Sequence, residues 1–132
     1  MKRTQLREHI FKMVFCMEFC GEEAMPEQLA LYFEQLEDAG EEDLEYIREK
    51  SRKLMDKIGE IDSLINERAT GWKTGRMNKV DLTILRLAVY EMKWDEDVPT
   101  GVAIDEAVEL AKKYSSKEGP AFVNGVLAKL AD

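Results

Sequence analysis

Asp81-Leu-Thr-Ile-Leu-Arg-Leu-Ala-Val-Tyr-Glu91 is the stretch that decides the fold. Its apolar positions Leu82, Ile84, Leu85, Leu87, Ala88 and Val89, extended by Val80 and Met92, follow no strict alternation and so do not read as a half-buried strand. On a helix they cover too many directions for a surface element, so the segment should be a central, buried helix. Asn78 stands where an N-cap belongs, its side-chain oxygen able to take a free backbone N–H of the first turn.

Outward toward the C-terminus, Pro99 and Gly101 break the chain before a helix carrying Ile104, Ala107, Val108, Ala111 and Tyr114. Gly119 and Pro120 precede a last one with Phe122, Val123, Val126, Leu127 and Leu130. Toward the N-terminus, Ile61, Leu64 and Ile65 mark a short helix closed by Gly71, and a longer one spans about residues 42–57. Pro26 suits the first turn of a helix with Leu29, Tyr32, Phe33 and Leu36, which Gly40 stops. The first helix covers residues 4–19, with Leu6, Ile10, Met13 and Met17 on one stripe and Phe11, Val14 and Phe15 widening it. The expectation is an all-α protein of about seven helices, a compact bundle of two small lobes. It forms one domain over residues 1–132, with lobes of roughly 1–70 and 71–132 meeting where the composition shifts near Gly71.

With 132 residues, 45% of them hydrophobic, the chain can close one core without disulfide or metal staples. Cys16 and Cys20, four apart in an apolar helical pattern, suit neither a disulfide nor a complete zinc site and read as reduced core thiols. His9 shares their face, but the seven helical steps from it to Cys16 span on the order of 10 Å, too far for one coordination sphere. No apolar run approaches the ~20 residues of a membrane span, and a cytoplasmic protein with no metal and no cofactor is expected. Enzyme chemistry is not expected either: no nucleophile with its base, no phosphate-cradling glycine loop and no ligand cluster stands out. Asp95, Glu96 and Asp97 lack the spacing of a calcium loop and read as a solvated turn.

The net charge of −8 argues against indiscriminate coating of nucleic acid. Its distribution is uneven. Residues 21–49 hold eleven acidic side chains against Arg48 alone, whereas residues 68–80 hold Arg68, Lys73, Arg76 and Lys79 and no acid. Lys2, Arg3, Arg7 and Lys12 make the start basic. Arg3 and Arg7 share a helix face near free N–H groups, a place for RNA phosphate or simply a solvated first turn. Trp72, among the bases of the second patch, can stack a nucleobase or plug the core. Phe122 and Asn124 open the last helix, within reach of a ligand, and Phe122 can equally be a packing residue.

Three strings carry a further inference: the one at 81–91, then Val102-Ala-Ile-Asp-Glu-Ala-Val-Glu-Leu-Ala-Lys-Lys-Tyr114, then Phe122-Val-Asn-Gly-Val-Leu127. In this order, behind a basic apolar first helix, they resemble the NusB family of transcription antitermination factors; residues 21–66 match in helical pattern alone. The resemblance implies a helical protein that joins the small-subunit ribosomal protein Nus factor E and binds single-stranded RNA, the boxA element of nascent ribosomal transcripts. It would then help an RNA polymerase antitermination complex read through terminators. It also implies an RNA surface framed by Lys2, Arg3, Arg7, Arg76, Glu118, Phe122 and Asn124, and a ribosomal-protein face at Phe15 and Asp81. If ~4 phosphates are neutralised, single-strand binding should fall with salt at a log–log slope of roughly −3. The chain departs from the family pattern in having fewer N-terminal arginines and in Gly119, Pro120 and Ala121 standing where polar or basic residues usually precede the Phe122 motif. The other class of function open at this point is a helical protein–protein interaction module without RNA binding.

Overall fold

A computed structural model of the chain describes residues 1–20, 27, 31–32, 40–69, 71 and 73–131. It divides into two units, Met1–Met55 and Asp56–Asp132. Among the described residues there are six α-helices and no strand: α1 (Arg3–Cys20), α2 (Glu41–Asp56), α3 (Ile58–Arg68), α4 (Lys79–Trp94), α5 (Thr100–Tyr114) and α6 (Gly119–Ala131). Of the helix expected to start at Pro26, Glu27, Leu31 and Tyr32 are described, all three helical, and the rest lies outside the described residues.

The second unit is organised around α4, as its sequence dictates. Asn78 adopts extended backbone and its Oδ1 accepts the Asp81 N–H at 2.8 Å, so the helix starts where the cap was expected. Residues 81–91 are then buried without interruption. Leu82, Ile84, Leu85, Leu87 and Val89 are each no more than 1% exposed, and complete burial of such side chains stabilises by about 1.5–3 kcal/mol apiece. Helices α3, α5 and α6 pack against α4. They contribute Ile61 and Ile65, Ala103, Ala107 and Ala111, and Val123 and Leu127 to the core. The alanines of α5 leave room for a close helix–helix approach.

Arg86 lies within this buried stretch, where a cation needs a partner. Its Nε donates to Asp62 Oδ1 at 2.9 Å and its Nη2 to Asp62 Oδ2 at 2.8 Å, a two-pronged pair that ties α4 to α3. With this pair and its packing on α4 and α6, α3 belongs with the C-terminal unit, and the division falls after Met55 rather than near Gly71. Gly71 marks a turn inside the unit. Its φ of +82° is the left-handed conformation that glycine adopts without a Cβ penalty. The chain continues into a 3-10 turn, Thr74–Arg76, whose first N–H donates to Asn66 Oδ1 at 2.8 Å. Gly101, Gly119 and Pro120, expected to precede their helices, lie within the first turns of α5 and α6, where unpaired N–H groups make glycine and proline tolerable.

In the first unit, Ile10, Met13, Val14 and Met17 form the buried stripe of α1, and Ile47 and Leu54 that of α2. Gln5 Oε1 accepts the Lys2 N–H at 3.0 Å, satisfying a donor at the start of α1. Two expectations for α1 need correction. Cys16 is exposed, not a core thiol: at 3.6 residues per turn it falls outside the stripe that runs through positions 10, 13, 14 and 17. Arg7, three residues before Ile10 and seven before Val14, falls on that stripe and is 4% exposed. His9, beside it, is half-buried and bonded through Nδ1 to the Tyr32 hydroxyl, with the rings edge-to-face at 5.7 Å.

Burial, reinforced by the Lys12 cation and opposed by Glu8, lowers the His9 pKa from its ordinary 6.5. The folded state therefore takes up a proton on His9 less readily than the unfolded chain. Its contribution is whole above the ordinary value and is lost as pH falls through that value toward the depressed one. Chemical denaturation at about pH 7.5 and about pH 5.5 should show a smaller acid-induced loss in His9→Gln than in the parent chain; equal losses would show that His9 does not carry this dependence.

Candidate nucleic-acid interface

The α5–α6 junction is built on one buried carboxylate. Asp81, in the first turn of α4, is 5% exposed. Its Oδ1 accepts the Ser115 hydroxyl at 2.5 Å from the end of α5, and its Oδ2 accepts Asn78 Nδ2 at 2.8 Å. Gly119, which opens α6, is pressed against the same pair. A Cβ built on it would stand 2.0 Å from Ser115 Oγ, 2.5 Å from Ser115 Cβ and 3.3 Å from Asp81 Oδ1. Glycine at 119 is thus what lets α6 begin where it does.

Directly above this joint a cavity of about 190 Å³ opens to solvent, lined by Met77, Asn78, Asp81, Ser116, Glu118, Gly119 and Phe122. Phe122 is half-buried and Glu118 exposed, so an aromatic ring and a carboxylate border the opening. Arg76 is exposed and immediately precedes Met77, which lines it. Asn124 is exposed on α6 but does not line the cavity. The structure therefore brings Glu118 and Phe122 together, with Arg76 adjacent in sequence to their cavity. The apolar walls and ring can take a flat, partly polar group, and an exposed guanidinium is suited to phosphate. Sequence reasoning missed Met77, Ser116 and Gly119; Gly119 could have been found from its place between a helix end and a helix start.

In the first unit, Lys2 and Arg3 are exposed at the head of α1, where free N–H groups and the helix dipole favour an anion. Arg7, expected to be exposed beside them, is buried. Phe15 is half-buried. Asp81 was expected on an outer face; its carboxylate instead turns inward to Ser115 and Asn78, so a charge reversal there damages the joint before it reports on any partner. Trp72 lies outside the described residues, whereas Arg68, Lys73, Arg76 and Lys79 of the same basic segment are all exposed. No helix among the described residues is long and apolar enough to cross a membrane.

A chain whose described residues form helices alone, whose N-terminal helix begins on basic residues and whose last helix carries a phenylalanine in its first turns beside a small cavity, defines the structural class. The pattern of the NusB family matches residues 4–132. The transcription antitermination protein NusB of Agathobacter rectalis is 52% identical over 131 residues, covering 99% of this chain and 100% of that protein. The structure of NusB from T. maritima superposes with a TM-score of 0.89 at 34% identity, covering 99% of this chain and 91% of the other. A crystal structure of the antitermination factors NusB and NusE in complex with double-stranded RNA matches with a TM-score of 0.85 at 26% identity, covering 99% of this chain and 98% of that one. The chain belongs to the NusB family.

Proposed function

We propose that the chain is an antitermination factor that binds the boxA element of nascent ribosomal RNA transcripts together with the small-subunit ribosomal protein Nus factor E, supporting read-through by RNA polymerase. The observation that carries this reading is the full-length likeness to a protein solved with NusE and RNA. Lys2 and Arg3 would meet phosphates, Arg76 a further one, and Phe122 a base, with Glu118 and Asn124 offering polar contacts at its edge. Phe15 remains the proposed contact to the ribosomal protein.

Burial of Arg7 leaves ~3 exposed cations for phosphates, so the single-strand salt slope should be shallower than first expected, roughly −2. The Lys2→Glu/Arg3→Glu double variant should bind a boxA RNA about tenfold more weakly at ~0.1 M salt with an unchanged thermal midpoint, since both side chains are exposed. Unchanged affinity would move the phosphate site elsewhere. The reading as a whole is tested by titrating boxA and scrambled RNAs with and without Nus factor E. Equal affinities in the presence of the partner would overturn it. That result would favour a protein-interaction module without RNA, the reading toward which the burial of Arg7 leans.

A further inference from the structure

A second opening in the C-terminal unit lies on the outer face of α3. Gly59, Glu60, Ser63, Leu64, Glu67 and Trp94 border a shallow groove of about 610 Å³. Three features give it a chemistry. First, the Trp94 ring already holds a cation: Lys57 Nζ stands 5.6 Å from its centroid, while Tyr90 stacks on it at 6.2 Å and 27°. Secondly, the charged groups bordering the groove, Glu60 and Glu67, are both acidic and exposed; Glu60 holds Lys57 at 3.7 Å, a solvent-exposed pair that is weak and easily exchanged. Thirdly, Gly59 sits inside a helix with nothing within 4 Å of where a Cβ would lie. No close neighbour requires glycine there. What its missing side chain provides is an open groove floor.

We infer that this groove is a docking site for an arginine-bearing segment of a protein partner. An incoming guanidinium would replace Lys57 over Trp94 and pair with Glu60 and Glu67, and an aliphatic neighbour would settle on Leu64 and the bare backbone at Gly59. Arginine fits better than lysine because its planar fork can lie on the indole and bond a carboxylate with two N–H groups at once. The acidic rim repels a nucleic-acid backbone, so this surface is separate from the one proposed for RNA.

The probe is a short fluorescein-labelled peptide of alternating arginine and leucine, titrated by fluorescence anisotropy. Gly59→Leu fills the groove floor with nothing within 4 Å of its Cβ to clash, so it should fold as well as the parent and bind the peptide about tenfold more weakly. Glu60→Lys/Glu67→Lys should lose at least as much, the lysine version of the peptide should bind more weakly than the arginine one, and boxA RNA affinity should not change in Gly59→Leu. As a control for bulk charge, Glu42→Lys/Glu45→Lys makes the same net change on α2. The inference is overturned if Gly59→Leu binds the peptide like the parent chain, if the α2 double variant loses as much as the groove variant, or if the parent chain does not bind the peptide at all.

Discussion

Gly119→Ala is expected to lower the stability of the C-terminal unit by about 2–3 kcal/mol, the range of an added methyl group forced into a filled space. The Ser115 hydroxyl could rotate away from the new Cβ, but only by abandoning Asp81, whose buried carboxylate would then lose a charge-assisted hydrogen bond. Ser115 Cβ, 2.5 Å from the new atom, is fixed in place by its bond to Cα and cannot rotate clear, so the first turn of α6 must shift outward. That shift carries Phe122 and widens the cavity, and RNA affinity should fall with stability. Urea unfolding monitored by circular dichroism measures the first effect and an RNA titration the second. In Gly119→Ala/Ser115→Gly the clash is relieved while the Asp81 bond stays lost, so partial recovery of stability is expected. No recovery, or an unaltered single variant, would refute this account of the joint.

Asp62→Ala should be of similar or larger size, about 3 kcal/mol, because removing one partner of a buried pair leaves the other's charge poorly compensated. The Arg86 side chain is 8% exposed and Asp62 23%, so the arginine suffers more from the loss. Replacing both, as Asp62→Leu/Arg86→Met, should recover much of the stability, since an apolar pair of similar volume carries no desolvation cost. Urea midpoints of the two variants make the comparison. A single variant within about 0.5 kcal/mol of the parent would mean that the pair contributes little to holding α3 on the unit.

The helical class and the central place of α4 were legible in residues 81–91 because burial on all sides leaves no polar stripe in the sequence. The Asn78 cap was legible for a local reason: a cap depends on a residue and the three that follow it. What depends on distant partners was not legible. The unit boundary near residue 56 rests on α3 packing against α4 and α6, with Asp62 reaching Arg86, and nothing in the composition shift at Gly71 shows it. Arg7 shares a face with Arg3, which suggested a joint cationic surface, yet it also shares the stripe of Ile10 and Val14, and burial won. Asp81 looks like an exposed acid at a helix start; only the fold shows Ser115 brought to it from thirty-four residues away. At the candidate interface, Phe122 and Glu118 could be named from the motif, but the cavity they share is formed by Met77 and Asn78 of another segment.

The connection from α4 through α5 to α6 has a kinetic consequence. These three helices are consecutive, joined by the short stretches 95–99 and 115–118, and each packs against the other two. Most of the contacts that build this part of the unit thus close small loops, the low-contact-order regime in which helical proteins fold within microseconds to milliseconds. The wider loop is the one closed by Asp81 and Ser115, 34 residues apart against 24 from Asp62 to Arg86, so closure of the Asp81 joint is the natural later step, and Gly119→Ala should speed unfolding far more than it slows folding.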